Sequence, residues 1–386
     1  AQSKPMMDAL IDKIITMGGS QPRQVAKTMI LLLLFGYATG RFGRSVFRHG
    51  LKRTLYYFAF LLWKQYKGSS GYQQEMTNVR KAFQHSLYPE AVQNTTINKT
   101  LPTKSQSAQE ILSQLKKWSL YEEELWNGKK RMSSGAVYHG GKELSKLQNE
   151  AYALFSIANP LHPDVFPFTR KLESEIIAMT ISYFNGNPYK QRAVLTTGGT
   201  ESICMAVRAY KNWALKTKSV YHPELIVAQS AHSAFMKACE MFDIECIVVD
   251  INPQTFTVDP SEMRKHITSN TIAIVGSAPQ YAQGCMDPIM ELSKLALEYQ
   301  IGLHVDCCLG SFLMPTLQRM GYEIPPFDFR VPGVTSISAD THKFGYTQKG
   351  TSLCMFRDNE LRRHAYFSYT ESSIGIYCTP TIQGSR

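Results

Sequence analysis

The sequence predicts an α/β fold in which helices cover both faces of a largely parallel sheet. From about residue 161 onward, short apolar runs alternate with segments of helical periodicity. Parallel strands need helical crossovers between them, so this alternation favours parallel pairing. The predicted strands span 193–197, 225–228, 246–251, 271–275, 303–305 and 334–338. The predicted helices span 108–126, 169–184, 201–215, 261–266 and 288–299.

Composition divides the 386-residue chain into three predicted parts. Residues 1–67 form a basic, apolar N-terminal segment that we expect to be helical. Residues 68–160 form a connecting region, and residues 161–386 hold the large α/β domain. A chain of this length buries enough apolar surface to fold without disulfides or a structural metal. Its mean hydropathy of −0.22 excludes a polytopic membrane protein.

Positive charge is concentrated near the N-terminus. The formal net charge is +11, and residues 1–70 carry eleven Lys and Arg against only Asp8 and Asp12. A nucleic-acid-binding domain would instead present its basic side chains as a footprint on the folded surface. We therefore expect no nucleic-acid partner.

The two most apolar runs also lie in the N-terminal segment, at 29–37 and 55–63, on either side of the basic stretch 41–53. Neither run reaches the about 18–20 apolar residues that span a bilayer. Basic side chains interleaved with aromatic ones suit a helix that lies on an anionic membrane surface. The alternative is a pair of helices in a core or dimer contact.

The eight cysteines all lie between Cys204 and Cys378. They form no C-x-x-C pair and no Cys/His spacing typical of zinc, so we predict no metal site. Reduced thiols are typical of proteins that fold in the cytosol. We therefore expect the large domain to face the cytosol.

Candidate functional residues follow the predicted strands, because the carboxyl ends of parallel strands gather the chemistry of α/β proteins. Gly198, Gly199 and Thr200 come after the first strand and open a helix. Glycines let backbone N–H groups approach an anion, and a helix N-terminus adds a favourable dipole. His232 follows the second strand. Taken singly, the glycines also fit a tight turn, and His232 also fits a structural role.

Two further strand ends carry charged residues. Asp306 follows the strand 303–305, where a buried carboxylate is costly unless a cation faces it. Lys343 follows the last predicted strand, directly after His342, among apolar and aromatic neighbours. Desolvation by such neighbours would lower the pKa of Lys343 and suit a Schiff-base amine. Alone, Asp306 also fits a turn and Lys343 a solvated surface charge.

The order of these residues is more specific than any one of them. A glycine turn, a strand-end His, a strand-end Asp and a His-Lys pair follow one another along the chain. A pyridoxal phosphate enzyme needs a phosphate cup, a ring-stacking group, a partner for the pyridinium nitrogen and a Schiff-base lysine. The sequence therefore predicts pyridoxal 5′-phosphate as the cofactor.

Three stretches resemble the sphingosine-1-phosphate lyase family: TGGTES at 197–202, HVDCCLGSF at 304–312 and SADTHKFGYTQKG at 338–350. This family belongs to the fold-type-I pyridoxal phosphate enzymes of the group II decarboxylase-like superfamily. The resemblance covers roughly residues 134–386 and implies a role for each strand-end residue. It implies that Lys343 forms the Schiff base, Asp306 faces the pyridinium nitrogen, His232 stacks on the ring, Gly198, Gly199 and Thr200 cup the phosphate, and His342 lies close by.

Further matches concern the substrate side of the site. VYHGG at 137–141 is similar to the family segment whose tyrosine reaches the active site, and NPLHPD at 159–164 to the segment whose Asn and His lie nearby. The resemblance implies that Asn159 contacts the cofactor and that Tyr138, His162 and Lys349 bind the substrate phosphate. It also implies a part in proton transfer for Tyr138 or Lys343.

The chain departs from the family pattern in three places. Gln348 stands where family members commonly have proline. Eukaryotic relatives carry a clear N-terminal membrane span, whereas this sequence has two short apolar runs. The family continues into a small C-terminal domain, which we expect to be missing from this chain.

The resemblance implies a carbon–carbon lyase. The expected reaction is a retro-aldol cleavage of the C2–C3 bond of sphingosine-1-phosphate or a similar phosphorylated sphingoid base, giving a long-chain aldehyde and phosphoethanolamine. A homodimer with shared active sites and membrane association are also implied, at the endoplasmic reticulum in a eukaryote, or in the cytoplasm or secreted toward host lipids in a bacterium. The alternatives are a pyridoxal phosphate-dependent amino-acid decarboxylase and a catalytically inactive membrane adaptor of the same fold.

Overall fold

The computed structural model describes residues 74, 76–81, 92, 95, 98–127, 137–371, 373 and 375–382. The predicted N-terminal segment 1–67, with both of its apolar runs, lies outside the described residues. Among those described, no helix is long and apolar enough to cross a membrane. The chain divides into two units, Ala1–Ile111 and Leu112–Arg386, and the second holds every predicted site residue. The boundaries of the three predicted parts stay a prediction.

Some of the helices begin at recognisable local signals. Pro167 opens the third helix, where its fixed φ suits the first turn, and the Asp259 side chain caps the sixth by accepting a hydrogen bond from the Ser261 amide. In chain order they are α1 (Ala108–Asn127), α2 (Lys142–Phe155), α3 (Pro167–Tyr183), α4 (Gly199–Lys218), α5 (Ala234–Met241), α6 (Pro260–Arg264), α7 (Ile289–Glu298), α8 (Leu313–Arg319) and α9 (Asn359–Arg363).

A seven-stranded sheet forms the centre of the second unit, in the order β1-β7-β6-β5-β4-β2-β3. Its strands pair in parallel except β7, which is antiparallel to both β1 and β6. A separate hairpin pairs β8 with β9. The strands are β1 (Arg192–Thr196), β2 (Glu224–Ala228), β3 (Glu245–Val249), β4 (Thr271–Ser277), β5 (Gly302–Asp306), β6 (Ser336–Ala339), β7 (Ser352–Phe356), β8 (Phe367–Tyr369) and β9 (Tyr377–Thr379).

Apolar side chains cover the sheet on both faces. One buried cluster joins α7 to the strands through residues such as Leu292 and Leu303, and the other joins α4 and α5 through residues such as Tyr210 and Phe235. Successive residues of one strand enter opposite clusters, as Ile274 and Val275 of β4 do. Burial on both faces explains why these strands read as continuous apolar runs.

The predicted fold class is confirmed, but three strands were missed: β7 of the central sheet and the hairpin strands β8 and β9. Each of the six predicted strands is present within a few residues of its predicted ends. β3 stops at Val249, and Ile251 instead makes an isolated antiparallel bridge with Val258. β7 was not predicted, because a short apolar run beyond a loop carries no signal of its pairing or direction.

Candidate active site

The sheet brings the predicted strand-end residues to one edge. β5 and β6 are parallel neighbours, and β1 runs in the same direction as β6 because β7 between them is antiparallel to both. The carboxyl ends of β1, β5 and β6 therefore lie on the same side of the sheet. The turn at Gly198, the carboxylate of Asp306 and the loop that carries Lys343 follow these three ends.

A buried ion pair lies at the centre of this edge. Lys343 Nζ is 2.9 Å from Asp340 Oδ2, with both residues on the turn that follows β6. The Asp340 side chain is 2% exposed and that of Lys343 is 20% exposed. Asp340 Oδ1 is buried and has no hydrogen-bond partner in the part of the chain that the structure describes. A buried oxygen of this kind is costly unless a ligand or water meets it.

The pKa of Lys343 moves opposite to the sequence-based expectation. Burial lowers it, as expected, but negative charge at Cys308, Asp340 and Asp306 outweighs burial, and the pKa lies above its ordinary value. Burial holds the pKa of the Cys308 thiol well above its usual range, so the thiol is neutral near pH 7. Near pH 7 the negative charges beside Lys343 are therefore those of Asp340, which also accepts a hydrogen bond from the amine, and of Asp306. The residues next to Lys343 in sequence gave no sign of the Asp306 charge, because Asp306 belongs to a different strand.

Asp306 ends β5 with a carboxylate that is nearly buried, at 7% exposure. Its Oδ1 accepts hydrogen bonds from the Cys308 amide at 3.0 Å and the Ser338 hydroxyl at 3.2 Å. The first bond ties the carboxylate to the turn that follows β5, and the second ties it to the neighbouring strand β6. A rigid, charged acceptor of this kind can pair with a cationic group that enters the site.

The glycine turn after β1 is shaped for close approach. Gly198 has φ of 151°, which L side chains rarely adopt, and it precedes the first residue of α4. A Cβ on Gly199 would lie 2.8 Å from both Asp340 Oδ1 and Cys308 Sγ. The Ser202 amide makes the first intrahelical bond, to the Gly198 carbonyl, so the amides of Gly199, Thr200 and Glu201 have no backbone partner among the described residues and can meet an anion.

His342 lies between this turn and the ion pair. Its Nε2 is 3.7 Å from Asp340 Oδ2, and its Cε1 would be 3.6 Å from a Cβ on Gly198. The Thr351 amide lies 3.2 Å from His342 Nδ1 and anchors the ring to the start of β7. The structure places the His342 ring beside the glycine turn and Asp340, while its implied position near the cofactor phosphate stays a prediction.

Tyr138 and Lys349 approach the same lysine from the solvent side. Lys349 Nζ lies 4.6 Å from the centre of the Tyr138 ring, and that ring packs edge-on against Phe344. Burial and the charge of Lys343 lower the pKa of Lys349. Burial raises the pKa of Tyr138 despite the nearby Lys343, so its phenol is protonated near neutral pH.

The remaining predicted residues have local roles in this structure. His232 Nδ1 accepts a hydrogen bond from the Ala234 amide at the start of α5. The Asn159 side chain accepts one from the Leu161 amide, and the His162 amide donates to the Asn159 carbonyl within the same exposed turn. Thr200 is exposed in the first turn of α4. Their implied roles toward cofactor and substrate stay predictions.

Sequence reasoning missed Asp340 and His304. Asp340 lies three residues before Lys343, and its only sequence signal is a carboxylate directly after a strand and close to a candidate lysine. His304 on β5 is fully buried, and burial lowers its pKa to about 4. An H-x-D alternation on an apolar strand, which places His304 and Asp306 on one face, was its signal.

These residues fit pyridoxal phosphate. Asp340 Oδ1 is an orphaned buried oxygen beside an amine, and the space at Gly199 is one that a single Cβ would fill. Lys343 offers the amine, Asp306 offers a fixed carboxylate, and the start of α4 offers N–H donors for a phosphate.

Comparison with known proteins agrees with this chemistry. The pyridoxal-dependent decarboxylase conserved domain matches residues 89–371. Sphingosine-1-phosphate lyase from Dictyostelium discoideum is 46% identical over 287 residues, which are 74% of this chain and 53% of that protein. Sphingosine-1-phosphate lyase 1 from Mus musculus is 46% identical over 75% of this chain and 50% of its own length. The chain therefore spans about half the length of the curated relatives it matches.

Solved structures give the same result. The sphingosine-1-phosphate lyase of Burkholderia pseudomallei superimposes with a TM-score of 0.73 at 40% identity, over 78% of this chain and 69% of that one. A glutamate decarboxylase from Lactobacillus brevis has a TM-score of 0.63 at 19% identity, over 78% and 70% of the two chains, which shows a shared fold alone. These matches confirm pyridoxal phosphate as the cofactor. The chain belongs to the pyridoxal-dependent decarboxylase family, on its sphingosine-1-phosphate lyase branch.

Proposed function

We propose that the protein cleaves the C2–C3 bond of a phosphorylated sphingoid base such as sphingosine-1-phosphate. The observation that carries this proposal is the buried Lys343–Asp340 pair beside Asp306, in a chain 40–46% identical to sphingosine-1-phosphate lyases. In the balanced reaction the C3 hydroxyl loses its proton and C2 gains one. The products are a long-chain aldehyde and phosphoethanolamine.

Lys343 and Asp340 act together on one proton. The amine is a nucleophile only when neutral, whereas Asp340 at 2.9 Å favours the ammonium form. Asp340 therefore favours the protonated form of Lys343 while the amine is free. The amine must lose that proton before it can react as a nucleophile. When bound, pyridoxal phosphate supplies an electron sink for the negative charge left at C2.

The substrate phosphate binds at the solvent side of the site. Lys349 offers a positive charge near the Tyr138 ring, and the protonated phenol of Tyr138 donates a hydrogen bond or a proton. A bound phosphate raises the pKa of Lys349 again by pairing with its ammonium group. His162, on its exposed turn, is the third candidate for this phosphate.

The partner and the location of the protein belong to the same proposal. A homodimer with shared sites is supported by an apolar stripe that α3 exposes to solvent, since exposed apolar patches of this kind mark contact surfaces. Its residues are Phe168, Leu172, Ile176 and Met179. The basic, aromatic segment 1–67 holds the protein on a membrane surface, where single-chain lipids partition, with the α/β domain in the cytosol.

Product analysis tests the proposed reaction. The full-length protein loaded with pyridoxal phosphate is incubated with sphingosine-1-phosphate, and long-chain aldehyde and phosphoethanolamine are quantified in equal amounts if the proposal is right. Matched reactions with small amino acids measure carbon dioxide. Carbon dioxide without aldehyde would establish the decarboxylase alternative, and a protein that retains no pyridoxal phosphate would establish the inactive adaptor.

A further inference from the structure

The register of two central strands places four polar side chains on one face of the sheet. His304 of β5 pairs with Ser336 of β6, and Asp306 pairs with Ser338. Because side chains alternate along a strand, residues two apart point to the same side. All four residues are buried.

Hydrogen bonds join these residues into one chain. His304 Nδ1 is 2.7 Å from Ser336 Oγ, and His304 Nε2 is 3.2 Å from Ser338 Oγ. The Ser338 hydroxyl in turn lies 3.2 Å from Asp306 Oδ1. This series of hydrogen bonds therefore begins inside the sheet and ends on the Asp306 carboxylate at the edge of the site.

The chemistry of the end group fixes the direction of each bond. An ionised carboxylate only accepts, so Ser338 donates its single hydroxyl proton to Asp306. Ser338 Oγ must then accept from His304, which places the imidazole proton on Nε2. His304 Nδ1 is left as an acceptor, and Ser336 donates to it.

The other end of the chain closes on a tyrosine. The Tyr210 hydroxyl lies 2.6 Å from Ser336 Oγ and 2.7 Å from Thr335 Oγ1. Thr335 donates to the Leu303 carbonyl and Ser336 to His304, so each of these two oxygens is left as an acceptor for Tyr210, whose single phenol proton goes to one of them at a time. The Phe235 ring packs in a T-shaped arrangement against the imidazole of His304, with 5.6 Å between the ring centres.

We propose that His304 is a positioning residue that fixes the direction of the Asp306 carboxylate by way of Ser338. Asp306 receives its hydrogen bonds on Oδ1, within the described residues, and Oδ2 is thereby presented to the ring nitrogen of the cofactor. The proposal rests on the function proposed above, since it requires that Asp306 faces that nitrogen. It predicts that affinity for the nitrogen, and not affinity for the phosphate, depends on His304.

A cofactor analogue separates these two affinities. The full-length protein, freed of cofactor, is titrated with pyridoxal phosphate and with 1-deazapyridoxal phosphate, which carries C–H in place of the ring nitrogen. The ratio of the two dissociation constants measures the contribution of Asp306. The variants are Ser338→Ala, His304→Leu and His304→Gln, the last of which retains an N–H donor toward Ser338. Ser293→Ala, a buried serine that accepts a hydrogen bond from the Gly333 amide, is the matched control.

The expected results follow from His304 acting on Asp306 only through Ser338. The parent protein prefers pyridoxal phosphate, Ser338→Ala and His304→Leu each reduce the preference on the order of tenfold, and the double variant reduces it no further. His304→Gln restores part of the preference, and Ser293→Ala leaves it unchanged. Thermal unfolding of each cofactor-free variant shows whether it is folded, and Ser338→Ala keeps the test open if His304→Leu is not.

Three outcomes would overturn the inference. Equal weakening of both ligands would show that His304 supports only the fold around the site. An unchanged preference in the folded variants would show that Asp306 holds its direction without His304, while its role toward the nitrogen stands. A parent protein without any preference would overturn the role of Asp306 itself, and the positioning role of His304 with it.

Discussion

The two sides of the candidate site differ in how firmly the fold holds them. On the cofactor side, Asp306 and Asp340 are buried at strand ends and are fixed by hydrogen bonds or an ion pair. On the substrate side, His162 and Lys349 are exposed on turns. The residues expected to hold the cofactor are thus fixed within the fold. The residues that we propose to bind the substrate phosphate are left on its surface.

The difference has a physical origin. A carboxylate buried at a strand end must be compensated, and the compensating groups fix its position. An exposed lysine can change rotamer at little cost in free energy, because water solvates its ammonium group in every rotamer. The substrate side therefore gains its order from elsewhere, such as a bound phosphate or the second protomer of the proposed dimer.

Removing the central amine tests the cofactor side most severely. Lys343→Ala deletes the proposed Schiff-base nucleophile, and we expect a loss of activity of at least about 10³-fold together with loss of the visible absorption of lysine-bound cofactor. Spectra of the purified parent and variant check this. Lys142→Gln, at an exposed lysine of the same unit, serves as the control. If the variant keeps the visible absorption band of the parent, Lys343 is not the lysine that binds the cofactor.

A smaller but more specific effect is expected at the glycine turn. In Gly199→Ala the new methyl group meets Asp340 Oδ1 and Cys308 Sγ at 2.8 Å, so one of them must shift. We expect pyridoxal phosphate affinity to fall on the order of 10- to 100-fold and the free energy of unfolding to fall by about 1–3 kcal/mol. Cofactor titration and thermal unfolding measure the two effects. Unchanged affinity would show that this turn does not cup the phosphate.

The substrate side should respond in KM. Lys349→Gln removes a positive charge from the proposed phosphate site, and we expect KM for sphingosine-1-phosphate to rise about tenfold while affinity for pyridoxal phosphate is unchanged. The two constants are measured on the same preparation, with Lys142→Gln as the control. A loss of cofactor binding instead would place Lys349 on the cofactor side and remove the contrast between the two regions.

The smallest predicted effect is a shift in pH dependence. The negative charges of Asp340 and Asp306 raise the pKa of Lys343 against the effect of burial, so Asp340→Asn lowers it. More of the amine is then neutral at a given pH, and the rate at which cofactor-free protein captures pyridoxal phosphate should reach its half-maximum about one pH unit lower. Rapid-mixing absorption across a pH series measures this.

The matched control for this shift is Asp328→Asn, which breaks the ion pair at 2.8 Å between the buried Asp328 and the partly exposed Arg330. It removes a buried carboxylate that is not among the charges acting on Lys343 and should leave the capture profile in place. A profile that does not move in Asp340→Asn, or that moves upward, would contradict the assigned role of Asp340.

Much of the cofactor side could be predicted from the sequence, because it follows strands with clear apolar patterns. Gly199, Asp306 and Lys343 are each near the end of a predicted strand, and the order of strands in the sheet brings them together. The pKa direction of Lys343 was wrong, since the charges that decide it come from residues distant in sequence or outside the strand pattern. Asp340 shares a turn with Lys343, and no helical or strand periodicity marks such a pair.

The His304–Ser338 contact illustrates a second limit. The H-x-D and S-x-S alternations are visible in the sequence, but their pairing depends on the register of β5 against β6. Likewise, β7 could not be predicted as the antiparallel strand between β1 and β6, because an apolar run gives neither its neighbour nor its direction. Substrate-side residues such as His162 lie on exposed turns, where only the family resemblance gave a signal.

Chemical trapping tests the central claim most directly. Sodium borohydride reduces a Schiff base between pyridoxal phosphate and a lysine to a stable amine, and peptide mapping by mass spectrometry then locates the modified residue. The structure predicts modification at Lys343, which is paired with Asp340 at the site edge. Modification at Lys349, six residues further on, or no modification in a protein that retains the cofactor, would contradict the account.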